Sequence, residues 1–250
     1  MPEGPRYAIL GRGRWSVVVQ RALEGEGRRV EIVAGTRRAL SETDDAHFSQ
    51  MRSSLAATGA DIAWLCVPPG PHLPAVILAA LDAGLDVIAE SPWLCAPEIT
   101  QELQFAAAAK NRLVGVHFEY CQLEEVESWR GQFHGAHGMT FGGRFSLSRA
   151  NRHGIPPVAD LGCHLAAIRQ YAAHESALGE IHCEYASTNS RMVWLDQAAT
   201  RLSLIDFTSN RQPIIQRFFR KFEAARATRD FPFGLPFAAA VSSQIARLLP

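Results

Sequence analysis

The sequence predicts an α/β chain with two regions: a doubly wound parallel sheet up to about Phe118, then an α+β region with a mainly antiparallel sheet. Three observations carry this expectation. Short apolar runs alternate with helical periods through the first half, which implies right-handed crossovers between parallel strands. Those runs are apolar almost without a break, as in strands buried on both faces. Beyond Phe118 several strand-like runs follow one another with no helix between them.

"RYAIL" (Arg6 to Leu10) reads as the first strand. It breaks at "GRGRWS", and "WSVVVQRAL" offers a helix with Val17, Val18 and Leu23 partly buried. "RVEIVA" (Arg29 to Ala34) and "DIAWLCVP" (Asp61 to Pro68) are the second and third strands. Leu73, Val76, Ile77, Ala80 and Leu81 follow the spacing of one helix face, and Gly84 sits where such a helix ends. "DVIAE" (Asp86 to Glu90) is the fourth strand. Pro97 opens a helix with Ile99, Leu103 and Ala106 inward, and "RLVGVHF" (Arg112 to Phe118) is the fifth strand. Past Phe118, a helix is expected around Leu123, Val126, Trp129 and Phe133, and another from Asp160 through Leu165 and Ile168 to Tyr171. "MTFGGRFSLS", "IHCEYAS", "RMVWL", "RLSLIDF" and "PIIQRFF" read as strands. The expected domains are 1–118 and 119–250.

Composition narrows the function. Lys+Arg and Asp+Glu balance at 25 each, so no bulk charge favours nucleic acid or an anionic membrane. The run "RFFRKFEAAR" (Arg217 to Arg226) is basic and aromatic, but at zero net charge it reads as a strand edge or solvated face. The start, Met1 to Gly4, lacks the regions of a signal peptide, and no apolar run has the length of a membrane helix. The five cysteines are scattered, with no C-x-x-C pair, which suits a reducing, cytoplasmic setting better than a disulfide framework. "HGAH" (His134 to His137) and His182 beside Cys183 lack a third or fourth ligand, so no metal is expected. No G-x-S-x-G elbow points to a hydrolase.

The glycine turn is the first motif with chemistry. Gly11 permits a tight turn after the first strand, and Gly13 lets a pyrophosphate approach the backbone. Ser16 stands where a dinucleotide fingerprint has its third glycine, and the amides at Arg14 and Trp15 open the following helix toward the phosphates. A G-x-G pair alone marks many ordinary turns; here it has a strand before it and a helix after. At the end of the second strand, "AGTRR" replaces the acid of an NAD site. Thr36, Arg37 and Arg38 can bind a 2′-phosphate, so NADP(H) is preferred and NAD(H) possible. The bland alternative is a solvated loop of two arginines.

Taken together, these residues resemble the glucose–fructose oxidoreductase / inositol dehydrogenase (Gfo/Idh/MocA) family. The likeness rests on the third strand, its Pro-Pro-x-x-His turn (Pro68, Pro69, His72), the next helix and the strand ending "ESPW". "VGVHFEY" (Val114 to Tyr120) and "DLGCH" (Asp160 to His164) extend it to about Tyr171. The resemblance implies a dinucleotide-binding Rossmann domain followed by a substrate and oligomerisation domain. It places Pro68, Pro69, His72, Glu90, Ser91 and Pro92 beside the nicotinamide half of the cofactor, and Asp160 and His164 on the substrate. Ser91 departs from the family's E-K-P lysine. A serine can hydrogen-bond but supplies no stable positive charge. The chain also looks short for the family, so a trimmed second sheet is expected.

His164 is then the leading proton carrier, since an imidazole titrates in the useful range. Asp160 lies four residues earlier and would share its helix face, either orienting the ring or capping the helix. Tyr120 is a further candidate, as is His117, though packing suits both. Trp93 beside the strand end suits packing as well. The expectation is an NADPH-dependent reductase of a small carbonyl, imine or conjugated substrate, forming a homo-oligomer (dimer or higher). The alternative is a catalytically degenerate binding or regulatory protein.

Overall fold

The computed structural model describes residues 4–33, 45–133, 140–147, 154–173, 176–185, 191–195, 202–206 and 212–249. The chain divides into two compact units. One comprises Met1–Glu90, Leu94–His117 and Ile215–Ala239; the other comprises Ser91–Trp93, Phe118–Ile214 and Ala240–Pro250.

In the first unit the elements run β1 (Tyr7–Leu10), α1 (Arg14–Glu24), β2 (Val30–Val33), α2 (Asp45–Ala57), β3 (Ile62–Leu65), α3 (Leu73–Asp82), β4 (Asp86–Glu90), α4 (Pro97–Ala109) and β5 (Val114–His117). The five strands are parallel in the order β2-β1-β3-β4-β5, with Tyr7 opposite both Val30 and Ile62. β1, β3 and β5 are buried at every position, which accounts for their unbroken apolar runs. The chain order reverses between β1 and β3, where open sheets of this kind form their ligand crevice. In α1 the buried positions are Ser16, Val19, Ala22 and Leu23, while Val17 and Val18 are exposed at 43% and 36%. The expected inward Val17 and Val18 are therefore one turn position off, because three valines in a row do not fix a helix face.

One correction is larger. "PIIQRFF", expected as a strand of the second domain, is the start of α8 (Gln212–Thr228), and Ile215–Ala239 belong to the first unit. Ile214, Ile215, Phe218, Phe219, Phe222 and Ala225 are its buried residues, a helical spacing that the short apolar run conceals. The expected basic strand edge, Arg217 to Arg226, is this helix too. Phe218 packs on Trp64 (6.2 Å between ring centroids) and Phe231 (5.4 Å), and Phe222 on Phe231 (5.1 Å). A Cβ on Gly115 would stand 2.6 Å from the Phe231 ring, so the bare backbone of β5 lets this layer close. Phe233 also accepts the Val116 N–H at 2.9 Å, covering the sheet edge.

Charges fasten the same helix. Glu223 takes the Tyr7 hydroxyl at 2.8 Å and a two-point pair from Arg28 at 2.7 and 2.8 Å. Asp86, fully buried at the start of β4, takes Arg226 Nε at 2.7 Å, Arg229 at 2.9 Å and the Leu113 N–H at 2.8 Å.

In the second unit a short 3-10 turn (Glu119–Gln122) leads to α5 (Glu124–Phe133), β6 (Thr140–Ser146), α6 (Pro157–Asp160), α7 (Gly162–Ala172), β7 (Ala177–Glu184), β8 (Arg191–Leu195) and β9 (Leu202–Asp206). These strands form a sheet in the order β7-β6-β8-β9, parallel at β6–β7 and antiparallel at the other two pairings. α7 is buried from Gly162 to Ile168. The last helix, α9 (Leu235–Ala246), starts in the first unit and ends in the second. No helix among the described residues is long and apolar enough to cross a membrane.

Replacing Asp86 by Asn leaves two arginines short of a carboxylate at a buried point. Urea unfolding should show a loss of about 3 kcal/mol; an unchanged midpoint would remove Asp86 as the anchor of α8.

Candidate functional site

The glycine turn has the geometry its sequence implies. Gly11 adopts φ +129°, and a Cβ there would meet the Cys66 carbonyl oxygen at 2.5 Å. Gly13 is the N-cap of α1 with extended backbone, and a Cβ there would meet nothing within 4 Å. The first residue is thus fixed by the fold, and the second leaves open room above the helix start. No side chain caps α1, so its first amides remain directed at that room. Ser16 is buried and donates to the Gly13 carbonyl at 2.7 Å, taking the packing place of a third glycine. Two ring nitrogens at this edge, Trp15 Nε1 and His72 Nε2, are buried and have no hydrogen-bond partner among the described residues. A polar ligand can use such capacity. The turn therefore fits a dinucleotide phosphate. Pro68 and Pro69 lie in the loop after β3, and His72 is the N-cap of α3. Thr36, Arg37 and Arg38 lie outside the described residues, as does "HGAH".

Glu90 closes β4 with both carboxylate oxygens engaged. Trp64 Nε1 donates to one at 2.6 Å, and His117 Nδ1 lies 3.2 Å from the other. His117 is fully buried, stacked under Trp15 (5.9 Å, 27°) and edge-on to Trp64 and Phe218. Its environment is a packed aromatic one.

The second unit holds the rest. The Ser91–Pro92 peptide is cis, Ser91 is half-buried, and Pro92 and Trp93 are buried. The Trp93 carbonyl accepts the Ser242 hydroxyl, so Trp93 is a packing residue. His164 lies on α7, with the Tyr120 ring edge-on at 4.7 Å and Phe145 at 6.0 Å. Tyr120 is itself buried and packs edge-on against Phe145. The expected sharing of one helix by Asp160 and His164 is not found. α6 ends at Asp160 and α7 begins at Gly162, with Leu161 as its N-cap and no side-chain cap bond. The Asp160 carboxylate instead takes the Tyr185 hydroxyl.

One residue at this site was missed. Glu119, directly after β5, is buried at 6% exposure, with Oε2 3.9 Å from His164 Nδ1. The available signal was an acid set among the apolar residues of "HFEYC". Burial pushes the thiols up, Cys95 to about 11 and Cys183 to about 12, with Cys66 and Cys163 well above their usual value. These four are not activated nucleophiles at neutral pH.

Residues 6–118 match the model of the Gfo/Idh/MocA oxidoreductase family with an NAD-binding Rossmann fold. Among solved structures, the fold is similar to that of the WlbA (WbpB) dehydrogenase from Thermus thermophilus in complex with NAD and UDP-GlcNAcA. The TM-score is 0.74 at 15% identity, covering 98% of this chain and 95% of that one. It is also similar to an inositol dehydrogenase homolog from Azotobacter vinelandii complexed with NADH and myo-inositol (TM-score 0.74, 14% identity, 99% and 95% covered). An oxidoreductase from Pseudomonas syringae gives a TM-score of 0.73 at 13% identity, with 99% and 96% covered. Among curated proteins, no sequence matches.

The two glycines of the turn should respond differently to substitution. Gly13→Ala should change unfolding stability by no more than about 1 kcal/mol while weakening NADH or NADPH binding at least tenfold in a fluorescence titration. Gly11→Ala should lower stability itself, through the carbonyl clash. Equal effects of both on stability would contradict the division of roles. Burial also lowers the His72 pKa below its usual value of 6.5. The unfolded chain then takes up the proton more readily, so this residue's contribution is kept above pH 6.5 and lost below it. The His72→Asn chain should lose less stability than wild type between pH 7.5 and 5.5 in urea titrations.

Proposed function

We propose, for a chain whose residues 6–118 belong to the Gfo/Idh/MocA oxidoreductase family, that it is an NAD(P)-dependent oxidoreductase working without the family's lysine. The observation that carries this is the glycine turn, closed at Gly11, open at Gly13 and followed by uncapped helix amides. The finer reading is an NADPH-dependent reductase of a small carbonyl, imine or conjugated substrate. The NADPH preference rests on Thr36, Arg37 and Arg38 standing where an NAD site has its acid. Pro68, Pro69, His72, Glu90, Ser91 and Pro92 belong to the nicotinamide end of the site in this reading, as the family resemblance implies.

When bound, the cofactor supplies hydride at nicotinamide C4. The chain's own residues handle position and proton. Glu90, with both oxygens held by Trp64 and His117, serves to orient. Ser91 can hold a substrate oxygen or nitrogen by hydrogen bond, but cannot neutralise developing charge. His164 moves the proton, with the Tyr120 ring edge-on beside it, and Asp160, which takes the Tyr185 hydroxyl, contacts substrate in this reading. A substrate that is already an imine, or conjugated, places less negative charge on its heteroatom and suits that site. The relatives' bound sugar nucleotide and cyclitol are consistent with small polar ligands. Assembly as a homo-oligomer through the second sheet belongs to the same reading.

The degenerate binding protein remains the second reading, motivated by Ser91 in place of the lysine and by a chain that looks short for the family. Purified protein incubated with NADPH or NADH and a panel of imines, ketones and sugars should reduce at least one compound. Arg37→Ala should weaken NADPH about tenfold and leave NADH nearly unchanged. Tight cofactor binding with no turnover of any compound would overturn the enzyme reading. Wild type reducing a compound faster than Ser91→Lys would overturn the degenerate one.

A further inference from the structure

Helices α2, α3 and α4 form one layer of the first unit, with α3 packed between the other two. Each returns between parallel strands, so all three run in the same direction. Two features of this layer stand open among the described residues. One is a groove of about 320 Å³ between α2 and α3, lined by Phe48, Arg52, Ala75, Leu78 and Ala79 with Ser49 and Asp82. The other is Phe105 on α4, 66% exposed, the most open large apolar side chain among the described residues.

The two features lie level with each other. Asp82 near the end of α3 meets Lys110, just past α4, at 2.8 Å. Counting back along each helix, Leu78 lies about 6 Å before that bridge and Phe105 about 7.5 Å before it. Leu78 is itself 39% exposed. Groove, Leu78 and Phe105 thus make one apolar band across the layer, where scattered exposed residues would show no alignment. Opposite charges border the band. Arg52 stands one turn after Phe48 on the groove side, and Glu102 one turn before Phe105 on the other. Both are exposed, and neither has a hydrogen bond or ion pair among the described residues. The groove's own acid, Asp82, is taken by Lys110.

We propose that this layer is an interface between two copies of the chain, related by a two-fold axis near Leu78, with Phe105 of each copy seated in the α2–α3 groove of the other. A two-fold axis across the layer reverses the helix direction in the second copy. Along α2, Arg52 lies about 6 Å beyond Phe48; along the reversed α4 of the second copy, Glu102 lies about 4.5 Å beyond Phe105. Setting the Phe105 ring against Phe48 therefore brings Glu102 to Arg52. Two apolar contacts and two charge pairs form together, which is the self-complementary pattern of an isologous dimer. An anionic membrane does not fit the same face, because the exposed Glu98 and Glu102 on α4 would be repelled by it. The interface is separate from assembly through the second sheet and needs neither cofactor nor turnover.

Sedimentation velocity of the full chain over a wide concentration range tests this. Wild type should populate a species of doubled mass that dissociates on dilution. Phe105→Asp should weaken that step about a hundredfold, with Tm kept because the side chain is exposed. Arg52→Glu and Glu102→Arg should each weaken it about tenfold, since like charges then face each other at both contacts. Mixing these two variants should restore it, because both contacts then pair opposite charges. Where the second sheet also joins copies, each variant alone should stop at that smaller assembly. A doubling step untouched by Phe105→Asp, or no gain on mixing the charge variants, would overturn the proposal. So would a wild type without the step, which would leave the face to a different protein. If Phe105→Asp fails to fold, the charge variants decide.

Discussion

A parallel sheet buried on both faces needs cover on both faces, and in this chain some of that cover arrives from far along the sequence. α8 brings Phe218, Phe219 and Phe222 back to the first unit, where they meet Trp64, Phe231 and Phe233. The apolar layer supplies most of the attraction, since each fully buried aromatic ring removes a large area from water. The charges set its position: Asp86 gathers two arginines of the returning segment, and Glu223 gathers Tyr7 and Arg28. β4 is thereby fixed at both ends, at Asp86 by that clamp and at Glu90 by Trp64 and His117.

That fixation gives the residues after Glu90 their meaning. Position 91, directly after this strand end, is half-buried. In this chain it is a serine. A serine hydroxyl can hydrogen-bond but carries no stable positive charge. In the second unit, His164 is enclosed by Tyr120, Phe145 and the Glu119 carboxylate.

Much of this was legible in the residues. The five strands and the helices α1, α3 and α4 follow from apolar periodicity, whereas α2 (Asp45–Ala57) is not read from it, and the glycine turn follows from its place between a strand and a helix. Both are local signals: the turn requires φ +129° at Gly11, which the sequence announces by placing glycine there. Local signals also misled. "PIIQRFF" carries enough β-branched and aromatic residues to read as a strand, and the three valines of α1 leave the buried face open by one position. "DLGCH" spaces Asp160 and His164 for one helix turn, but the helix breaks at Leu161, and the two side chains find different partners.

The sequence by itself determined the class of the first domain, its glycine turn, and the serine after Glu90, because each is written in adjacent residues with a fixed local geometry. Only the tertiary structure decided that α8 completes the first unit, that Glu90 is fully engaged, and that Glu119 stands beside His164. Those facts depend on which side chains meet across long separations. Residue order constrains such meetings only through the packing of the whole core.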